Sequence, residues 1–199
     1  TALRDGKIAY IGRTGTLEQK GDSFIGVDTN RVMVLDTATG NSRQAALIKT
    51  SANIPRDGEV RIARSAGGDL LVGHTIRPEI EIYGPDGSKK GVIKLDIRPI
   101  PVTKSVAENH QITQAYNVGG KRTVVVEPMG DFLPYYHDFT VDARGNILVF
   151  KMSENPKTGP IVFQVYAPEG ELLCETGLDR GAFDLPLNRL FCPRLAFTE

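Results

Sequence analysis

A strand–turn–strand pattern recurs along this chain, and it restricts the possible folds more than any other feature of the sequence. Residues 62–72 and 139–149 each place a turn glycine between two short apolar runs, and these glycines, Gly68 and Gly145, stand 77 residues apart. Self-similarity at a fixed spacing indicates that one supersecondary unit is used several times. The chain is therefore predicted to fold as an all-β repeat protein.

A second feature follows the first in each copy. The alternating run 80–83 leads into a Pro-Asp-Gly turn, and the run 163–166 leads into a Pro-Glu-Gly turn. The same order occurs near the start of the chain, in residues 3–11, then 31–36, then a Thr-Gly turn. Proline presets φ and glycine accepts a positive φ, as tight turns between antiparallel strands require. Three copies of the unit are thus present.

Each copy predicts a four-stranded antiparallel meander. An inner strand turns through a glycine hairpin into a second strand, a variable loop leads to a third strand, and the second turn leads to an outer strand. Gly6, Gly68 and Gly145 are predicted to occupy equivalent places between the first two strands, and the variable loop of the first copy is predicted over residues 12–30. Four-stranded units repeated about every 40 residues are typical of β-propeller blades.

The repeat divides the chain into units that together form part of one propeller domain, residues 1–199. The predicted blades cover about 1–50, 58–97 and 137–178, with a further blade starting at 190–199 and an insertion at 98–136. The chain begins without Met or a signal-peptide pattern and ends on a strand that lacks its following turn, so we expect both ends to be cut from something longer. The alternative is a natural chain whose termini are strands.

The insertion departs from the β pattern. Apolar residues do not alternate over 104–117, and this predicts a short exposed helix. The run Val124-Val125-Val126 after a Gly-Gly pair predicts an extra strand. The insertion either carries function over one mouth of a ring, where loops sit on a rigid scaffold, or is a packing flap over a blade edge.

Four stretches carry a resemblance to a known family. Residues 139–149 and 165–170 have the strand and turn pattern of that family's blades, and residues 98–103 and 132–139 are similar to stretches of family members found in exported bacterial proteins. The chain resembles bacterial six-bladed β-propellers of the NHL/TolB-like group. The resemblance implies about three blades, half of a ring whose remaining blades belong to the same polypeptide or another chain. It also implies a periplasmic, extracellular or cell-surface location.

Composition and motifs exclude several classes of function. The chain has 24 basic and 24 acidic residues, whereas a broad nucleic-acid interface normally has a basic face. No apolar run approaches the roughly 18–20 residues of a transmembrane helix. His74, His110 and His137 lack the spacing of zinc ligands, and we expect neither a metal site nor a cofactor. Cys174 and Cys192 are predicted to be free, partly buried thiols.

The strongest candidate site is a run of aromatic and titratable residues at the start of a predicted inner strand. It consists of Tyr135, Tyr136, His137 and Asp138. Aromatic rings next to a histidine and a carboxylate can hold a polar ligand by stacking and hydrogen bonding. Tyrosines at such a place also wedge between blades, and a histidine can cap a backbone group, so both interpretations stay open.

A second group lies in the corresponding loop of the preceding blade. His74, Arg77 and Glu79 could belong to the same face as the first run. The preferred function is a non-catalytic scaffold that binds a protein, a small polar ligand or a glycan at the propeller mouth. The alternative is an enzyme with an axial site, such as a calcium-dependent lactonase-like hydrolase or a lyase. Asp138 and Asn188 are its candidate calcium ligands. Because only Asp138 is an evident inward carboxylate, binding is favoured over catalysis.

Overall fold

The fold is built from short antiparallel sheets in chain order. The computed structural model describes residues 1–3, 6–20, 23–51, 58–110, 113–118, 121–126 and 130–178. Sheet 1 consists of β1 (Lys7–Lys20), β2 (Ser23–Asp36) and β3 (Ser42–Ser51). Sheet 2 consists of β4 (Val60–Arg64), β5 (Leu70–His74), β6 (Glu79–Tyr83) and β7 (Lys89–Lys94).

The second half of the described chain holds the insertion and the last sheet. The insertion comprises α1 (Lys104–His110), β8 (Thr113–Val118) and β9 (Lys121–Val126), and its two strands pair with each other. Sheet 3 consists of β10 (Tyr136–Val141), β11 (Ile147–Lys151), β12 (Ile161–Tyr166) and β13 (Leu172–Leu178). Each sheet is an antiparallel meander, which confirms the predicted all-β fold of blade-like sheets.

The turn glycines hold equivalent places in the strand register. Gly68 lies two residues before Leu70, the first paired residue of β5, and Gly145 lies two residues before Ile147 of β11. Gly6 precedes Ile8 in the same way. All three glycines have positive φ, at +67°, +92° and +91° in chain order. An L side chain is strained there, so glycine fits these turns.

Sheet 1 differs from the prediction in two respects. Its expected first strand is reduced to a single pair, Ala2 with Ile8. The expected long loop over 12–30 is wrong, because β1 and β2 continue as a paired ribbon up to Lys20 opposite Ser23. The stretch is rich in glycine and polar residues, a composition that the sequence analysis took for a loop.

Two apolar clusters join the three sheets in the order 1, 2, 3. Sheet 2 lies between the other two, and its central strand β5 is buried on both faces. Leu70 and Val72 pack toward sheet 1, whereas Leu71 packs toward sheet 3. A strand covered on both faces is apolar at successive positions, which explains the run Leu-Leu-Val.

Helix α1 of the insertion contacts the loop between β11 and β12. Helix α1 is shorter than predicted, and the prediction of helix over residues 113–117 is wrong because they form β8. The predicted strand at Val124–Val126 is confirmed as part of β9. Asn109 Nδ2 donates a hydrogen bond to Glu154 O at 3.2 Å, and His110 Nε2 lies 2.6 Å from Ser153 O. The helix therefore rests on the β11–β12 loop.

Three further predictions have different outcomes. Cys174 has a free thiol but is exposed on β13, so its predicted partial burial is wrong. Cys192 and Asn188 lie outside the described residues. So does the further blade at 190–199, and the division into blades stays a prediction. Within the described ranges, no helix has the length and apolar character needed to cross a membrane.

Candidate functional site

The two groups of predicted site residues meet at one end of sheets 2 and 3. We call it the loop end and define it as residues 58–61, 74–79 and 132–138. Antiparallel pairing creates it, because Val60 at the start of β4 pairs with His74 at the end of β5. The N–H of Tyr135 donates a hydrogen bond to Thr75 O at 2.8 Å and joins the two groups directly.

Further hydrogen bonds fix the loop end. Thr75 N–H donates to Glu59 O at 3.1 Å, and Glu59 N–H donates to Thr75 Oγ1 at 2.9 Å. The Tyr136 hydroxyl donates to Glu79 O at 3.3 Å, which connects sheets 2 and 3. These hydrogen bonds tie the backbone of the loop end, which carries its exposed side chains, to sheets 2 and 3.

Tyr136 is part of the core between sheets 2 and 3. Its side chain is 0% exposed, and its ring meets that of Phe139 edge to face, with the centroids 6.2 Å apart. Gly73 makes this approach possible, since a β-carbon there would lie 2.5 Å from the Tyr136 hydroxyl and 2.6 Å from Phe139 Cε1. Burial raises the pKa of Tyr136. This tyrosine packs between the sheets and offers no surface to a ligand.

Asp138 faces a guanidinium. Arg61 Nε lies 3.6 Å from Asp138 Oδ1 and donates a hydrogen bond to His137 O at 3.1 Å, while the Arg61 terminal nitrogen pairs with the Glu59 carboxylate. Burial raises the pKa of Asp138, and the Phe139 N–H and Arg61 oppose that rise. Arg61 and Asp138 stand 77 residues apart and pair with Gly73 and Phe150, which are also 77 residues apart, so they occupy equivalent positions of β4 and β10.

Sequence reasoning missed Arg61 and Glu59, although the repeat marks Arg61 as the position equivalent to Asp138. Applying the offset between Gly68 and Gly145 to Asp138 leads to Arg61. Opposite charges at equivalent positions of adjacent repeats can pair when the strands lie side by side.

His74 lies beneath the surface of the loop end. It is buried, and among the described residues neither ring nitrogen meets the geometry of a hydrogen bond. Burial lowers the pKa of His74 to about 4, the positive charge of Arg77 lowers it further, and a contact with the Gly58 backbone acts in the opposite direction. The imidazole is therefore neutral near pH 7.

The accessible part of the loop end combines apolar and polar side chains. Arg77 and His137 are exposed and Tyr135 is half-buried. Ile76 and Phe132 are also exposed, at 41% and 57%, and sequence reasoning did not select either of them. We call these five residues the recognition surface. The ring of His137 contacts the ring of Phe150 in a tilted arrangement, and the two ring centroids are 5.9 Å apart.

The geometry around Asp138 bears on cation binding. In the part of the chain that the structure describes, no three His, Cys, Asp or Glu side chains come together as metal ligands. The Arg61 guanidinium lies beside the Asp138 carboxylate, and its positive charge disfavours a cation bound there.

Comparisons with known proteins find little similarity. No family model matches the chain, and no curated protein matches it in sequence. Among solved structures, it is similar to a protein of unknown function from Bacteroides caccae. The two are 13% identical with a TM-score of 0.27, over 92% of this chain and 72% of that chain. Inferences about function therefore rest on the residues of this chain.

Proposed function

We propose that sheets 1 to 3 are consecutive blades of a β-propeller of the NHL/TolB-like type and that the protein is a non-catalytic binding scaffold. Three features support the proposal: the meander topology, the packing of the sheets in chain order, and the equivalent turn glycines. Closure of such a ring requires further blades from the same polypeptide or another chain. The proposed location, periplasmic or extracellular, follows from the family resemblance.

The observation that carries the binding function is the convergence of two successive sheets at the loop end. The hydrogen bond from Tyr135 N–H to Thr75 O holds the β5–β6 loop against the start of β10. It places Arg77 and His137 on backbone segments that are joined to each other. A surface ordered before its ligand arrives loses less conformational entropy on binding.

The side chains of the recognition surface suit the binding of a protein or a small polar ligand such as a glycan. Arg77 supplies several N–H donors, and His137 can donate or accept. Ile76 and Phe132 supply apolar contact area, and aromatic residues are frequent anchors of recognition sites. Catalysis would require an acid, base or metal ligand that acts together with Asp138. The nearby carboxylate of Glu59, like that of Asp138, faces the Arg61 guanidinium instead.

A ligand titration tests the proposal. We would follow backbone amide shifts in two-dimensional NMR spectra while adding N-acetylglucosamine, maltose, galacturonic acid or mixed-sequence hexapeptides. For at least one probe, we expect shifts confined to residues 59–61, 74–77 and 132–138. The double variant with Arg77→Ala and His137→Ala should bind that probe at least tenfold more weakly at an unchanged melting temperature.

The matched control is Glu169→Ala, an exposed charge at the opposite end of sheet 3. It should bind the probe as well as the unaltered chain does. Shifts centred elsewhere, an unaltered affinity of the double variant, or no response to any probe would each refute the binding function.

A further inference from the structure

His74 is a buried polar side chain without a polar partner. It is 5% exposed, and among the described residues neither Nδ1 nor Nε2 meets the geometry of a hydrogen bond. Buried polar groups in proteins are nearly always hydrogen-bonded, because leaving one unpaired costs free energy. Burying a charge without a partner costs far more. The present position of the ring therefore suits only its uncharged form.

The ring is covered by the segment that leads into β4. The Gly58 backbone lies against its edge, since a β-carbon on Gly58 would come within 2.3 Å of His74 Nε2 and 3.1 Å of Ile76 Cγ1. Gly58 also has a φ of +117°, which L side chains rarely adopt. Glycine thus lets the backbone pass directly over the imidazole.

The residue after His74 holds the loop end together. The N–H of Thr75 donates to Glu59 O at 3.1 Å, and its Oγ1 accepts from Glu59 N–H at 2.9 Å. Its carbonyl oxygen accepts from Tyr135 N–H at 2.8 Å. A displacement of His74 would move Thr75 and strain all three bonds, so the position of the histidine is coupled to the whole loop end.

The described elements around His74 offer no unpaired carboxylate to a protonated ring. Arg77, on the same loop, is positive and disfavours a second positive charge. The carboxylates of the neighbouring strands already pair with cations. These pairs are Glu59 and Asp138 with Arg61, Glu79 with Lys94, and Asp28 with Arg13. The other titratable side chains of the loop end, none of which becomes an anion as pH falls, are Tyr135, Tyr136 and His137.

We propose that His74 is a pH sensor that regulates the recognition surface: protonation moves the ring out from beneath Gly58 and opens the loop end. Opening separates Ile76 and Arg77, which follow His74, from Tyr135 and His137 of sheet 3. A ligand that binds the closed loop end is then released. Only this last step rests on the proposed binding function, since the opening itself requires no ligand.

The size of the effect follows from the two environments of the ring. Burial, and then the charge of Arg77, lower the pKa of His74 from 6.5 to about 4 in the closed form. A ring that has left the interior recovers its ordinary pKa, so the open form binds protons more tightly. Between pH 7 and pH 4.5, the equilibrium should shift about fiftyfold toward the open form.

Amide hydrogen exchange followed by NMR measures the opening without a ligand. The protection factors of the Glu59, Thr75 and Tyr135 amides should fall about fiftyfold between pH 7 and pH 4.5. The N–H of Ala167, which donates to Glu171 O at 2.8 Å at the opposite end of sheet 3, is the internal control and should keep its protection. Undiminished protection of the three loop-end amides in the unaltered chain would overturn the proposal.

Two variants assign the opening to its residue. His74→Leu has no ring to protonate and should keep its protection at pH 4.5. His137→Ala is the matched control, because it removes the other histidine of the loop end and should lose protection as the unaltered chain does. If His74→Leu lost as much protection as the unaltered chain, the carboxylates of the loop end would be responsible and the proposal would fail.

The sugar or hexapeptide that binds the recognition surface at pH 7 tests the regulation. Between pH 7 and pH 4.5, its affinity should fall more for the unaltered chain than for His74→Leu, because only the closed fraction binds. An equal fall in both chains would overturn the regulation. Loss of protection without binding of any probe would refute the binding function alone.

Discussion

Sheets 1 and 2 share one repeat register but differ in their neighbours. Among the described residues, sheet 2 is enclosed on both faces, whereas sheet 1 is enclosed only on the face toward sheet 2. The equivalent residues Ile8 and Leu70 are both aliphatic, yet one is 41% exposed and the other is 0% exposed. The comparison shows that burial of a strand residue depends on what packs against its sheet as much as on its own side chain.

The largest expected difference between the two environments concerns two tyrosines. Tyr136→Ala should destabilise the fold by about 3–5 kcal/mol, because it leaves a cavity between sheets 2 and 3. Tyr10→Ala removes an exposed ring and should cost less than about 1 kcal/mol. Urea unfolding of both variants measures this. Equal losses would show that the sheet 2–3 interface is no more enclosed than the face of sheet 1 that carries Tyr10.

The equivalent aliphatic residues give a closer match. Leu70→Ala should cost about 2–5 kcal/mol, since the leucine is inaccessible between sheets 1 and 2. Ile8→Ala should cost less than about 1 kcal/mol, because Ile8 is 41% exposed. The midpoint of thermal unfolding tests both, and a large loss for Ile8→Ala would mean that its face is covered within one chain.

The pH dependence of stability should arise in sheet 2. The folded pKa of His74, about 4, lies below the ordinary value of 6.5. The unfolded chain therefore binds more protons between these values, and stability is lost as pH falls from about 6.5 to 4. We expect a loss of about 1–3 kcal/mol from this group. Sheet 1 has Gly12 at the equivalent position and no corresponding effect.

A pair of variants separates His74 from the other histidine of the loop end. Urea unfolding at pH 7 and pH 4.5 should show a smaller pH dependence in His74→Leu, whereas His137→Ala, which alters an exposed side chain, should keep it. An unchanged slope in His74→Leu would contradict the assignment.

The smallest expected difference separates two glycines. Gly73→Ala should cost about 1–3 kcal/mol, because its β-carbon would overlap with Tyr136 and Phe139. At Gly12 of sheet 1 the nearest atom to such a carbon is Arg31 O at 4.0 Å, so Gly12→Ala should change stability by less than about 0.5 kcal/mol. Thermal unfolding checks the pair. A neutral Gly73→Ala would show that the approach of Tyr136 is not tight.

The candidate site shows where sequence reasoning was sufficient and where it was not. It selected His137 and Arg77, which are exposed at one end of adjacent sheets. It selected Tyr136 with equal weight, although this residue is buried. Residue type identifies a side chain that can bind a ligand. The side of β10 on which that side chain lies also depends on the bulge between Tyr136 and Asp138.

The sequence by itself determined the repeat, the antiparallel meanders and the places of the turn glycines. These are local properties, since alternation of side chains and the φ of a turn depend on residues that are neighbours along the chain. Only the tertiary structure decided that Tyr136 is inaccessible, that Arg61 faces Asp138 and that Tyr10 is exposed. Burial and charge pairing are set by distance in space. The residues that bury Tyr136 or pair with Asp138 lie far from them in the sequence, and the exposure of Tyr10 depends on what packs against its sheet.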